Sequence, residues 1–114
     1  MRVTVKADPR SNGTRWRRAK AELRAQERPC WICLAFGRPA AIDYALPALD
    51  PGSFEADHLV PTSKGGSLWD ADNLDAAHRA CNEWRGNKSV AEVLAITRRS
   101  RTAAARQVET TTEW

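Results

Sequence analysis

One segment near the middle of the chain carries most of the structural information, and it reads Phe54-Glu55-Ala56-Asp57-His58-Leu59-Val60-Pro61. Residues 53–60 alternate between apolar and polar side chains well enough to predict a β-strand. A second short strand is predicted at residues 74–77, and Gly65 and Gly66 are typical of a turn between the two. Both glycines are expected to serve the backbone conformation and not to cradle a phosphate.

Helices are predicted on both sides of these strands. Residues 14–26 carry Trp16, Ala19 and Leu23 at helical spacing, which predicts a helix with these three side chains buried. The other predicted elements are a tight turn at 30–33, an irregular loop at 35–52, a short helix at 79–85, a final helix from Ser89 through about Arg99, and a frayed tail from residue 109. In the final helix, Val90, Val93, Leu94 and Thr97 are expected to face inward.

The composition limits the class of protein. A chain of 114 residues with 42% hydrophobic and 28% charged residues is typical of a single globular domain. No stretch approaches the roughly 20 apolar residues that cross a bilayer, and the first ten residues do not resemble a signal peptide. A cytoplasmic location is therefore expected, where cysteines bind metal more often than they form disulfides. An odd count of three cysteines also excludes a complete disulfide framework.

The charge is divided along the chain. The net charge of +4 favours a polyanionic partner. Residues 1–24 hold eight basic side chains, residues 43–75 hold seven acids and one lysine, and residues 98–106 are basic again. This layout fits a central metal site between arms that hold phosphates, but a solvated helix face would explain either arm alone. The excess of arginine over lysine suits phosphate contacts, and a GC-rich coding genome would produce it as well.

Two pairs of metal-binding residue types share the same spacing. Cys30 and Cys33 enclose two residues, and so do His78 and Cys81. Both ligands of each pair can converge on one ion, and together they form a tetrahedral Cys3His set typical of structural zinc. A redox pair or two small buried residues would also explain Cys30 and Cys33, and water or another residue could replace His78. The second pair favours zinc, which would help to stabilise a domain this small.

The order of motifs around these pairs is that of a known family. Asp57-His58-x-x-Pro61 is followed by Gly65-Gly66, then by Asp72-Asn73-Leu74, and finally by Cys81-Asn82-x-x-x-Gly86-Asn87-Lys88. In this order residues 30–88 resemble an HNH endonuclease, and they look most similar to the small HNH proteins of phages that infect GC-rich bacteria. The resemblance implies an α+β fold, a ββα-metal domain stapled by zinc, with flanking helices. It divides the chain into a basic N-terminal arm and helix (1–29), a nuclease core (30–88) and a C-terminal helix and frayed tail (89–114).

The resemblance also implies roles for four residues. His58 would take a proton from the attacking water. Asp57 and Asn82 would bind a catalytic Mg2+ or Mn2+, since these ions prefer carboxylate and amide oxygens. Asn73 would hydrogen-bond the loop and hold the His58 segment in place. The residues alone leave other readings open, because His58 could be an ordinary hydrogen-bonded histidine and Asn73 a turn residue. Glu55 would lie beside the metal region or at an exposed strand position.

Double-stranded DNA is the partner that the resemblance implies. Six basic residues are candidates to contact its phosphates, although surface charge explains each as well: Arg15, Arg17, Arg18, Lys20, Arg85 and Lys88. The tryptophans Trp31, Trp69 and Trp84 are expected in the core, not as platforms for bases. The biological role and the oligomeric state stay open, and one hypothesis is an accessory of a phage packaging machine that works with terminase proteins. The alternative function is a non-catalytic zinc-ribbon module that binds nucleic acid or protein.

Overall fold

The described chain runs through two helices, two strands and two further helices. The computed structural model describes residues 9–112, with side chains from residue 13 to residue 107. Its elements are α1 (Pro9–Ala25), α2 (Trp31–Phe36), β1 (Phe54–His58), β2 (Leu74–His78), α3 (Arg79–Arg85) and α4 (Val90–Thr112). Short 3-10 turns at Thr62–Lys64 and Ala71–Asn73 lie in the loop between the strands. The predicted α+β class and the order of two strands followed by a helix are confirmed.

The sheet consists of β1 and β2, which pair antiparallel with Asp57 opposite Asp75 and His58 opposite Leu74. Successive side chains of a strand point to opposite faces, so each face of the sheet meets a different layer. On one face Phe54 and Leu74 form a buried cluster with Leu23 of α1, against which Trp16 and Ala19 also pack. The buried stripe predicted for the first helix is therefore confirmed.

The other face of the sheet packs against α2. Ala77 of β2 is fully buried in a second cluster with Cys30, Ile32 and Cys33. The tight turn predicted at residues 30–33 is wrong, because this segment begins a helix. The amide of Leu34 donates to the carbonyl oxygen of Cys30, which closes the first helical turn. Gly37, at a φ of 74°, ends α2 in the left-handed conformation that glycine adopts without strain.

The final helix begins where the sequence predicts and ends later. Ser89 and Glu92 form a reciprocal capping box, in which the backbone amide of each residue donates to the side chain of the other at 2.8 and 3.0 Å. Val93 and Thr97 are buried as predicted, whereas Leu94 is 42% exposed. The end predicted at about Arg99 is wrong, since α4 continues to Thr112. No glycine or proline interrupts this stretch, and three consecutive alanines at 103–105 favour the helix.

The length and hydropathy of the described helices can be compared with those of membrane-spanning helices. Between residues 9 and 112, none is both long and apolar enough to cross a membrane. The division of the chain at residues 29 and 88 stays a prediction. Of the tail predicted to fray from residue 109, residues 109–112 belong to α4, and residues 113 and 114 lie outside the described range. Within that range, α1 shares its core with both strands and thereby lies beside the segment that carries Asp57 and His58.

Candidate metal centre and active-site groove

The four predicted zinc ligands come together at the starts of two helices. Cys30 is the N-cap of α2, and Cys33 lies in the first turn of that helix. His78 ends β2 and is the N-cap of α3, whose first turn carries Cys81. The donor atoms of all four residues lie within 4.8 Å of one another. The Cys3His cluster could therefore hold a zinc ion.

The distances within the cluster fit tetrahedral coordination. Zinc–sulfur bonds of about 2.3 Å and zinc–nitrogen bonds of about 2.05 Å imply S···S and S···N separations of about 3.8 and 3.6 Å. The Sγ atoms of Cys33 and Cys81 are 3.6 Å apart. The Nδ1 atom of His78 lies 3.5 Å from Cys33 Sγ and 3.7 Å from Cys81 Sγ. Cys30 and Cys33 are buried and His78 and Cys81 are half-buried, and four protein donors close the set, which is typical of a structural site.

The histidine ring is oriented for this role by its other nitrogen. His78 Nε2 lies 3.0 Å from the carbonyl oxygen of Ala41. A carbonyl oxygen can only accept, so Nε2 must donate, and in the neutral ring Nδ1 then keeps the lone pair. That is the arrangement in which a histidine binds zinc through one nitrogen while a carbonyl holds the other. His78 thus completes a cluster of four donors that could hold the ion.

The thiol groups of the cluster lie so close together that their ionised forms need neighbouring positive charge. Burial, together with the neighbouring thiols of Cys30 and Cys33, raises the pKa of Cys81 to about 12. Burial would also raise the pKa of Cys33, but hydrogen bonds, first from Arg38 and then from Cys81, His78 and Cys30, lower it on balance. Thiolates so close together repel one another unless a cation joins them. The donor set therefore fits a divalent, thiolate-binding ion.

Arg38 is a cation at this cluster that the sequence analysis did not identify. Its Nε donates to Cys33 Sγ at 3.3 Å, and its Nη2 donates to Cys81 Sγ at 3.6 Å. The side chain also lies over the ring of Phe36, 4.4 Å from the ring centroid. Three thiolates, one neutral imidazole and Zn2+ would sum to a charge of about −1 by ordinary valence. Arg38 supplies the balancing positive charge.

Asp57 lies on the face of the sheet that packs against α2, and its side-chain partners come from α2 and α3. Both of its carboxylate oxygens lie 2.7 Å from Nη1 of Arg85, and Oδ2 also accepts from Trp31 Nε1 at 2.8 Å. Asp57 is 5% exposed and Arg85 only 1%. Arg85 also donates to the backbone oxygens of His58, Leu59 and Lys88.

The predicted contact between Arg85 and a DNA phosphate is therefore wrong. All three of its guanidinium nitrogens donate to protein oxygens, and its side chain is buried in the protein. The sequence shows only that Arg85 lies three positions after Asn82, and it does not show whether the side chain at that position is buried or exposed. Its structural role is to join the end of α3 to the end of β1.

His58 points toward α1, on the sheet face opposite Asp57. Its Nε2 lies 2.9 Å from the carbonyl oxygen of Leu68, and its ring stacks on Trp16 with centroids 5.0 Å apart. The carbonyl forces Nε2 to donate, so in the neutral ring Nδ1 keeps the lone pair. The sequence analysis placed Trp16 correctly in the helix stripe and missed its contact with His58.

One open groove of about 210 Å³ runs beside both residues. Its lining includes Asp57 and His58 from β1, Asn82 from α3, and Gly86 and Asn87 from the segment after that helix. Asn82 donates through Nδ2 to Glu55 Oε1 at 2.9 Å, which leaves its Oδ1 oxygen as the ligand atom. Asp57 Oδ1 accepts from Arg85 alone among the contacts of the described residues, so the groove offers hard oxygen atoms from both Asp57 and Asn82.

Asn73 lies outside the groove lining and holds the loop above it. Its Nδ2 donates to the carbonyl oxygens of Val60 and Ser67, and its Oδ1 accepts from the amide of Val60, all within 2.9 Å. Gly66 makes this close approach possible. A Cβ atom there would lie 1.8 Å from the oxygen of Val60 and 2.8 Å from Asn73 Nδ2. The glycine pair therefore serves the path of the backbone.

The remaining basic candidates lie on the surface around this region. Arg15 lies over the ring of Trp69, 5.1 Å from its centroid, and Lys88 covers the ring of Trp84 at 4.5 Å. The side chains of Arg17, Arg18 and Lys20 are exposed on α1. Trp31 and Trp69 are half-buried, but the core position predicted for Trp84 is wrong because that residue is 40% exposed.

Lys64 is a further basic residue at the groove, and the sequence analysis treated it only as part of a turn. Its Nζ donates at 3.2 Å to the carbonyl oxygen of Asn87, which lines the groove. The side chain is exposed, so it places a positive charge beside the groove.

Comparison with known proteins gives one match. Residues 30–88 match the family model described as HNH endonuclease. The match begins at Cys30, the first candidate zinc ligand, ends just before α4, and covers more than half of the chain. No curated protein and no solved structure matches the chain.

Proposed function

The chain belongs to the HNH endonuclease family, and we propose that it hydrolyses phosphodiester bonds of double-stranded DNA in the groove between β1 and α3. The observation that carries this proposal is that Asp57, His58 and Asn82 line one open groove. A groove open to solvent admits a polymer that enters and leaves from the side. Hard oxygen ligands next to a histidine are the combination that metal-assisted phosphodiester hydrolysis needs.

His58 is the proposed general base. The Leu68 carbonyl holds its Nε2 as a donor, so Nδ1 of the neutral ring accepts the proton of the attacking water. The stacked Trp16 ring limits rotation of the imidazole and keeps Nδ1 in one direction. Histidine suits this step because the unprotonated nitrogen of a neutral imidazole can take a proton from water.

Asp57 and Asn82 are the proposed ligands of a catalytic Mg2+ or Mn2+. Such an ion, when bound, would polarise the scissile phosphate and stabilise the departing 3′-oxygen. Asp57 is held by Arg85 and Trp31, and Asn82 is oriented by Glu55. Each ligand is therefore fixed by a partner on another element before any substrate arrives, which is the arrangement that positions ligands accurately.

The zinc cluster supports this site through the backbone. Asn82 follows Cys81 directly on α3, and Trp31 follows Cys30 directly on α2. An ion that joins the starts of the two helices would fix both residues relative to the sheet. Zinc is thus proposed to be structural and to act on the chemistry only by position.

The decisive experiment incubates supercoiled plasmid with the protein in Mg2+, in Mn2+ and in EDTA. We expect nicked or linear DNA with 5′-phosphate and 3′-hydroxyl ends in the two metals and intact plasmid in EDTA. His58→Ala should lose at least a hundredfold in rate, within the range that a general base contributes. Ser100→Ala, at an exposed position outside the groove, is the control and should cut normally. Full activity of His58→Ala at normal zinc content would contradict the assignment of the base.

Metal binding is tested by Asn82→Ala. Loss of one of two protein ligands should raise the Mg2+ concentration needed for half-maximal cleavage. Saturating Mg2+ should then recover much of the rate, since Asp57 and the phosphate still provide ligands. An unchanged Mg2+ requirement would remove Asn82 from the proposed ligand set.

The resemblance to the small phage proteins supports a biological proposal as well. The chain would act as an accessory of genome packaging, where its isolated activity is weak nicking and terminase proteins stimulate it. Adding purified terminase to the plasmid assay would test this, and an unchanged cleavage rate would contradict it. The alternative of a non-catalytic zinc-ribbon module predicts that plasmid stays intact in every metal.

A further inference from the structure

The distal half of α4, residues 98–107, extends beyond the core of the protein. Each of these ten residues is exposed, whereas Val93 and Thr97, earlier on the same helix, are buried. The family match ends at residue 88, so this segment lies outside the nuclease core. We call residues 98–107 the distal arm. Beyond its contact with α2 the arm buries little surface, so its exposed face is available for another partner.

The charge of the distal arm is all of one sign and lies on one side. Its charged residues are four arginines, and no acid occurs between Glu92 and Glu109. At 100° per residue, Arg98, Arg99, Arg101 and Arg106 fall within an arc of about 160°. The opposite side carries Ser100, Ala103, Ala104 and Gln107, which are small or neutral.

This one-sided charge disfavours the isolated arm and favours an anionic partner. Like charges three positions apart on a helix repel one another, as Arg98 and Arg101 do, and no acid lies three or four positions from Arg98, Arg99 or Arg101. Arg101 lies along α2, since a Cβ atom at Gly37 would be 3.3 Å from its Nε. Arg98 and Arg101 also line an open groove of about 600 Å³ between the two helices. The base of the arm is therefore fixed on the core while its arginines face solvent.

We propose that the distal arm binds the sugar–phosphate backbone of double-stranded DNA that flanks the bond in the catalytic groove. This inference rests on the proposed nuclease function and adds a second contact surface to it. Guanidinium groups bind phosphate oxygens through paired hydrogen bonds, and a row of them matches the regular phosphates of a duplex. From Arg98 to Arg106 the helix rises about 12 Å, which spans three to four phosphates at roughly 3.4 Å per phosphate along one strand.

The helix that carries the arm begins close to the catalytic groove along the chain. Gly86 and Asn87 line the catalytic groove, and α4 begins three residues later at Val90. Along the helix axis, Arg98 and Arg106 lie about 12 and 24 Å from Val90. A duplex that follows the helix axis from the groove, at about 3.4 Å per base pair, would meet the arm roughly four to seven base pairs away. Its contacts carry no base information, so they would add affinity without adding sequence preference.

The experiment measures DNA binding as a function of salt, in the His58→Ala background so that the DNA is not cut. Fluorescence anisotropy on a 30-base-pair duplex gives the slope of log K against log salt. The test variant replaces Arg98, Arg99 and Arg106 with alanine and keeps Arg101 at the base of the arm. The slope is negative, and each lost phosphate contact reduces its magnitude by about 0.9. The magnitude should therefore fall by about 2.7 in the variant without three arginines. On an eight-base-pair duplex centred on the groove the decrease should be clearly smaller, because little flanking DNA remains.

Two matched controls separate charge from helix structure. Ser100→Ala with Gln107→Ala changes the opposite side of the arm and should leave the slope unchanged. Replacement of the same three arginines by lysine keeps the charge and should retain most of the slope. Circular dichroism checks that each variant keeps its helix content.

The outcomes distinguish this proposal from the proposed function. An unchanged slope in the alanine variant, while the unmodified chain cuts plasmid, overturns the arm contact alone. If the unmodified chain neither binds nor cuts DNA, both proposals fail. A slope that stays constant while sedimentation shows loss of a dimer in the alanine variant assigns the arm to a second copy of the chain and also overturns the proposal.

Discussion

Arg85 holds both carboxylate oxygens of Asp57 from a single nitrogen atom, Nη1, at 2.7 Å each, and both residues are almost completely buried. The same guanidinium also binds the carbonyl oxygens of His58 and Leu59, so one side chain fixes the end of β1. A buried ion pair is costly to form, and it is tolerated where every remaining donor is satisfied. The pair therefore organises the candidate site from beneath the groove.

Arg85→Ala should destabilise the protein strongly. Removing one partner leaves the Asp57 carboxylate buried without its cation, a change that costs about 3–5 kcal/mol. Urea unfolding of zinc-loaded protein would measure the loss. Arg79→Ala is the matched control on the same helix, because Arg79 forms partly exposed pairs with Glu55 and Glu83. Such pairs contribute about 0–1 kcal/mol. Equal effects of the two substitutions would contradict the organising role of Arg85.

The strands, α3 and the zinc ligands could be predicted from local signals. Alternation and a glycine-containing loop predict β1 and β2, and the two-residue spacing predicts each half-site. The partners of Asp57 could not be predicted, because Arg85 and Trp31 are 28 and 26 residues away along the chain. A single sequence gives no measure of burial for an arginine. The contact of Trp16 could not be predicted either. Its helical spacing indicates that it lies on the buried face of α1 but does not show that its ring stacks on His58.

Trp16→Ala should slow cleavage by releasing the His58 ring. A stacked aromatic pair contributes about 0.5–1.5 kcal/mol, so the rate of the chemical step should fall roughly two- to twelvefold. Trp16→Phe keeps a ring at this position and should retain most of the rate. Single-turnover cleavage at saturating protein separates this effect from weaker DNA binding. A purely structural role would lower the melting temperature of both variants without separating their single-turnover rates.

Arg38→Ala should weaken zinc binding. Loss of an outer partner of a metal ligand typically costs ten- to a hundredfold in affinity. The hydrogen bond from Arg38 helps to lower the pKa of Cys33. Without it the thiol pKa rises, protons compete better with the metal, and zinc should be released at a higher pH during acid titration. Competition with a chromogenic chelator measures both changes.

The control for that experiment is Arg28→Ala, which removes an exposed pair with Asp75. Arg38→Lys tests the geometry, since lysine keeps the charge but cannot direct two nitrogens at two sulfurs. Affinity should then fall between the values of the unmodified protein and the alanine variant. Equal zinc affinity in Arg28→Ala and Arg38→Ala would show that Arg38 does not support the cluster.

Gly66→Ala should disrupt the loop that Asn73 holds, while Gly65→Ala should be much milder. At Gly66 the new Cβ would lie 1.8 Å from the backbone oxygen of Val60, so the loop must move away from β1. Gly65 has a φ of 91° with open space around it, so its alanine variant pays only backbone strain of roughly 1–2 kcal/mol. The loop carries Leu68, whose carbonyl holds His58 Nε2. Cleavage by Gly66→Ala should therefore fall further than its thermal stability explains. Near-normal cleavage by that variant would show that the His58 ring does not depend on the loop.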